Sequence, residues 1–129
     1  QPDLRGYIAA NKILSLPIRD LTHIERVWMA KVVYHRYVGM KEKKQIEKSI
    51  INLLTEEQKA SSFAIGLGLR FIYIFCGGYP KNLEKIKLKI KKNTLFCKIK
   101  PDAKALMDKE CERRLKNFAN ICNLNYQIV

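Results

Sequence analysis

Apolar and polar residues change their spacing along the chain, and each change marks an element. From Ala60 to Cys76 apolar residues fall on nearly every side of a helical projection, which predicts a central, buried helix. Thr55 and Gln58 form a capping box at its start, and Glu56 and Glu57 suit the positive end of the helix. Gly66 and Gly68 each cost about 1 kcal/mol of helix propensity relative to alanine, so their presence implies that neighbouring backbone comes close there. Gly77 and Gly78 supply the left-handed backbone that stops the helix, and Pro80 prevents its resumption.

Beyond that break the period falls to two. Ile86, Leu88 and Ile90 alternate with Lys87, Lys89 and Lys91; after a turn over Lys92, Asn93 and Thr94, Leu95, Cys97 and Ile99 alternate with Phe96, Lys98 and Lys100. This is a β-hairpin with one apolar and one basic face. Met107, Cys111, Leu115, Phe118 and Cys122 return to helical spacing, giving an amphipathic helix suited to covering the apolar face. Asn123 is a left-handed stop, and residues 125–129 are β-prone enough for a third strand.

The first half is helical throughout. Asp3 or its neighbours open a helix with loosely periodic apolar positions Leu4, Ile8, Ile13 and Leu16, ending before Pro17. Thr22 and Glu25 make a capping box for a second helix with apolar face Ile24, Val27, Trp28, Val32 and Val33, closed by Gly39. Lys41 to Gln45 is a basic loop or helix start, and Ile46, Ile50, Leu53 and Leu54 predict a short helix after it. The fold class is therefore α+β: a helical bundle, then a β-hairpin, a helix and a terminal strand. Residues 1–78 are expected to be the helical region and 79–129 a small β-β-α-β cap.

Composition narrows the function. A chain of 129 residues, 47% hydrophobic and 29% charged, can bury a core without metals or disulfides. Its strongly apolar run, Phe63 to Cys76, reads as too short and too interrupted for a bilayer span, so no membrane is expected. Gln1 opens the sequence without a leader pattern, the expectation being a piece of a longer protein. Cys76, Cys97, Cys111 and Cys122 form no Cys-x-x-Cys pair. Cys111 and Cys122 lie about three helical turns apart, roughly 16 Å, beyond disulfide reach. Free thiols and a reducing cytoplasm are expected. The formal charge of +13 favours polyanions. More than half of that excess lies between Lys81 and Lys100, where eight lysines meet one acid, Glu84.

Catalytic patterns are missing. His23 is followed by Ile24 and His35 by Arg36, whereas a divalent-metal phosphohydrolase of the HD type needs a His-Asp pair and further histidines. His23 reads as a first-turn packing or hydrogen-bonding residue and His35 as a partly exposed helix residue. Glu56 and Glu57 have a helix-start explanation, and Glu110 and Glu112 lie among Lys109, Arg113 and Arg114. Gly66-x-Gly68 falls inside a helix and cannot cradle phosphate. Arg70 is the one charge between Ser61 and Tyr79, either a structural ion pair or snorkelling guanidinium, or an anion site on a cleft wall. Lys87, Lys89, Lys98 and Lys100 share one side of the hairpin, as a solvated edge that resists aggregation or as a platform for a polyanion.

Five segments, in order, resemble the C-terminal module of the exopolyphosphatase and guanosine pentaphosphate phosphohydrolase (Ppx/GppA) family. They are Pro2-Asp3-Leu4-Arg5-Gly6, Leu21-Thr22-His23-Ile24-Glu25-Arg26, Gly66-Leu67-Gly68-Leu69-Arg70, Gly77-Gly78-Tyr79-Pro80 and Glu112-Arg113-Arg114-Leu115. The resemblance implies an HD-like helical region without metal ligands, followed by a basic cap. It implies a parent phosphoanhydride hydrolase whose N-terminal catalytic domains hold the phosphate loops and magnesium, with no cofactor in this chain. Inorganic polyphosphate or guanosine polyphosphate, the chain's own catalytic domains and a second copy in a homodimer are the implied partners. Arg5, Arg26, Arg70 and Arg114 match the family's basic positions, as substrate-path or interface residues beside the four hairpin lysines. Gln1 and Asn123 depart from the histidine and glycine usual in relatives. A small RNA-binding module and a purely structural dimerisation domain are the rival readings.

Overall fold

The computed structural model describes residues 2–41 and 46–129, so Gln1 and the basic stretch expected after Lys41 lie outside the described residues. Helices come first: α1 (Pro2–Ser15), α2 (His23–Val38), the short α3 (Lys48–Ile51) and α4 (Glu56–Cys76). A 3₁₀ turn at Pro80–Lys85 leads to β1 (Ile86–Lys91) and β2 (Thr94–Ile99); a second at Pro101–Leu106 leads to α5 (Lys109–Ile121) and β3 (Asn125–Ile128). This is the helix-rich α+β arrangement expected, with a small sheet after the helices. The compact units are residues 1–67 and 68–129, so the last turns of α4 fold with the sheet.

Local chemistry sets the helix ends. Glu25 N–H donates to Thr22 Oγ1 at 3.1 Å while Thr22 N–H donates to the Glu25 carboxylate at 3.1 Å. Thr55 and Gln58 repeat the exchange at 2.8 and 3.1 Å. Asp108 caps α5 by accepting from Cys111 N–H at 2.8 Å. Gly77 and Gly78 both have positive φ, which stops α4 as expected, and Asn123 (φ 57°) stops α5 in the same way.

In the first unit, α1 packs on α2 through only one of the four positions its apolar spacing suggests, Ile13. Leu4, Ile8 and Leu16 are exposed, whereas Ala10 and Gly6 are buried and Ile13 and Leu14 half-buried. The reason is close approach: a Cβ added to Gly6 would meet Val38 Cγ2 at 2.7 Å and the Tyr34 carbonyl at 3.2 Å. Gly6 and Ala10 thus form the close contact, Ile13 packs beside them as its spacing suggests, and Leu4, Ile8 and Leu16 turn outward. Gly66 does the same between α4 and α2, where a Cβ would lie 2.6 Å from His35 Cβ and 2.8 Å from the Val32 carbonyl oxygen. Trp28 Nε1–H donates to Ser61 Oγ at 2.9 Å across the same pair of helices.

α4 is not buried all round. Ile65, Leu69 and Tyr73, one face at four-residue spacing, are exposed, while Ser62, Gly66, Leu67, Phe71 and Phe75 are buried. With 21 residues it is longer than its apolar run, because the capping box starts it at Glu56. It is long and apolar enough to cross a membrane by length and composition alone.

In the second unit Phe71, Phe75, Ile86, Leu95, Cys97, Ile99, Cys111 and Leu115 form one core. β1 and β2 pair antiparallel, with Ile86 opposite Ile99 and Lys91 opposite Thr94. β3 joins β2 in parallel through the α5 crossover, giving the order β1-β2-β3. β2 is therefore central and wholly covered on its apolar face. The hairpin's apolar face is only partly covered: Ile86 is buried, but Leu88 is 40% and Ile90 64% exposed, because the core gathers around β2 and β3 and leaves the outer strand bare.

Candidate functional site

The two-residue turn at Lys92 and Asn93 puts both residues at positive φ, 49° and 60°, and so fixes the hairpin's register. With Ile86, Leu88 and Ile90 committed to the apolar side, alternation sends Lys87, Lys89 and Lys91 to the other. The register sets Lys87 directly opposite Lys98 and Lys89 opposite Phe96. The ladder continues past the strands through Lys100 N–H donating to the Lys85 carbonyl at 2.9 Å. Parity places Thr94 and Phe96 of β2, and Asn125 and Gln127 of β3, on this same face. Like charges directly opposite one another destabilise a sheet, so the Lys87–Lys98 pair is an unfavourable local choice.

Lys87, Lys89, Lys91 and Lys98 are exposed and form no ion pair among the described residues. Lys85 differs, because it bridges to Asp102, whose carboxyl is held below its usual range chiefly by that hydrogen bond. The face offers a row of ammonium groups on a rigid two-strand frame, with Phe96 half-buried among them. Its chemistry is attraction of negative charge. Lys91, opposite Thr94, belongs to this face by the same alternation and adds a fifth lysine to the four expected there.

The four arginines matched to the family lie on helices, two in each unit. Arg114, half-buried on α5, donates from Nη1 to the Arg70 carbonyl at 3.3 Å and from Nε to Glu110 at 3.2 Å. Arg113 holds the same carboxylate at 2.6 and 2.8 Å, and its hydrogen bonds, with those of Arg114, push Glu110 down to about 2. Arg70 is half-buried on α4. Arg5 is exposed on α1, and Arg26, on α2, donates to the Ile18 carbonyl at 3.4 Å; both belong to the first unit.

His35 is a correction to the sequence reading. It is 1% exposed rather than partly exposed, because Gly66 lets α4 lie directly against α2 at that position. Its ring lies 4.3 Å from the Phe63 ring, with Nδ1 3.0 Å from the Gly39 carbonyl and Nε2 3.0 Å from Lys31 Nζ. The carbonyl must accept and the ammonium must donate, which selects the neutral Nδ1–H tautomer. Burial, reinforced by the Lys31 charge, pushes the imidazole down to about 4. It is a packing group. Lys31 Nζ also donates to the Lys59 carbonyl at 3.3 Å and lies 5.2 Å from the centre of the Phe63 ring. The sequence signal that could have revealed this cluster was the spacing of Lys31, His35 and Gly39, one helical turn apart.

Among the described residues no three His, Cys, Asp or Glu side chains group as metal ligands would. The four cysteines carry free thiols, and three are buried. Burial pushes Cys97 up to about 11 and Cys111 up to about 12, so neither is a ready nucleophile.

The family model for the C-terminal domain of exopolyphosphatase matches residues 1–129, the whole chain. The chain belongs to that family. No curated protein matches it. As an exopolyphosphatase C-terminal domain it is part of a hydrolase family protein.

Proposed function

We propose that this exopolyphosphatase C-terminal domain binds a phosphate polyanion, inorganic polyphosphate or a guanosine polyphosphate, and steers it to the catalytic domains of its parent enzyme. Lys87, Lys89, Lys91 and Lys98 carry the attraction, with Lys100 at the end of the row; Arg5, Arg26, Arg70 and Arg114 serve the substrate path or an interface. The parent works as a cytoplasmic homodimer without a membrane partner, and magnesium belongs to its catalytic domains. The observation that supports this reading most is the Lys87–Lys98 opposition on a sheet face where no ion pair among the described residues relieves it. A face that only had to stay soluble would gain from alternating signs. Exposed Leu69 and Tyr73 on α4 support a role in dimer formation.

Polyphosphate titrated into the full chain at several salt concentrations tests the reading. Affinity should fall steeply with salt, because each phosphate contact releases a counterion. Phosphate release with magnesium present should be absent. Turnover would overturn the accessory role, and displacement of polyphosphate by structured RNA at equal phosphate, with sequence preference, would favour an RNA-binding module. Sedimentation over a range of concentrations reads the dimer.

A further inference from the structure

We propose that the outer edge of β1 receives an extended segment of a separate protein in which apolar and acidic residues alternate. In an antiparallel pair only every second residue exchanges hydrogen bonds with its partner. The bond from Lys100 N–H to the Lys85 carbonyl assigns Lys85, Lys87, Lys89 and Lys91 to the exchanging set. The N–H and C=O groups of Ile86, Leu88 and Ile90 therefore point away from β2, along an edge where no further strand pairs among the described residues. Beside those groups stand Leu88 and Ile90, 40% and 64% exposed, on one side of the strand and Lys87, Lys89 and Lys91 on the other.

Each property of this edge constrains its occupant. Outward backbone donors and acceptors call for another backbone, which neither polyphosphate nor RNA supplies in strand geometry. The two exposed apolar side chains call for apolar neighbours on one side of the incoming strand, and the three lysines for carboxylates on the other. A second copy of β1 is disfavoured, because it would set a lysine row against a lysine row. Docked antiparallel, the incoming strand brings its apolar residues opposite Leu88 and Ile90, and these same residues make the backbone exchange.

A capped, fluorescein-labelled hexapeptide of alternating valine and glutamate, added to the full chain at about 0.15 M salt, tests the proposal by anisotropy. It should bind, and protect the amides of Leu88 and Ile90 from hydrogen exchange. N-methylation of its valines should weaken binding by at least about tenfold, while N-methylation of its glutamates leaves it little changed. Ile90→Pro, which removes an outward donor at an edge that tolerates proline, should also weaken it; the N-methyl pair keeps the test valid if that variant does not fold. Equal binding of a peptide with three valines followed by three glutamates, insensitivity to valine N-methylation, or no binding at millimolar peptide would each overturn the proposal.

Discussion

Single residues decide the tightest contacts in the first unit. Gly66→Ala puts a Cβ into His35 Cβ and the Val32 carbonyl, neither of which can swing away, and should cost about 1–3 kcal/mol in urea unfolding despite alanine's better helix propensity. Gly77→Ala, with open space around it and φ 56°, should cost only the left-handed strain, about 1–2 kcal/mol. The need for a glycine at 66 was legible because the residue sits in a helix that would otherwise reject it. The burial of His35 was less so: the one-turn spacing of Lys31, His35 and Gly39 marks a shared helix face, but not that α4 covers it. Its consequence is a pH dependence. The folded imidazole titrates near 4, below the ordinary 6.5, so the unfolded chain binds the proton more readily in between. The contribution is complete above about pH 6.5 and is lost as pH falls towards 4. His35→Gln should flatten the fall in urea midpoint between pH 7 and pH 5, and an unchanged slope would rule His35 out as its source.

At the scale of elements, the hairpin sets local stability against charge density. Replacing Lys98 by threonine removes the repulsion opposite Lys87 and introduces a better strand former, so Lys98→Thr should raise stability by roughly 0.2–1 kcal/mol at low salt. The same change should weaken polyphosphate binding and reduce the salt slope by about 1. Opposite signs in the two measurements would separate a ligand-binding lysine from a merely solvated one. Helices and strands were largely legible here because caps and periods agree: Thr22 with Glu25, Thr55 with Gln58, and the strict alternation from Ile86 to Lys91 each state one answer. Which apolar face would be covered was less legible. Leu4 and Ile8 look like core residues until Gly6 and Ala10 are seen to make the closer contact, and Leu88 and Ile90 share the spacing of Ile86 without sharing its burial. Periodicity reports that a face exists, and the width of the neighbouring layer decides how much of it is used.

For the whole molecule, the apolar stretch from Ser61 to Cys76 carries no mark at Leu67, where the first compact unit ends, because one uninterrupted helix runs through both units. The resemblance in five spaced motifs was sufficient to reach the family, and alternation alone gathered Lys87, Lys89, Lys98 and Lys100 on one side, whereas the direct opposition of Lys87 and Lys98 needed the strand register. The distribution of two rare residue types adds a practical consequence. Trp28, the only tryptophan, belongs to the first unit, and all four cysteines to the second. Indole fluorescence and maleimide labelling thus act as built-in probes of unfolding, one for each unit, with no engineered label. Since α4 runs unbroken through both units, the two signals should change at the same urea concentration, and a gap between them would reveal an intermediate with one half melted.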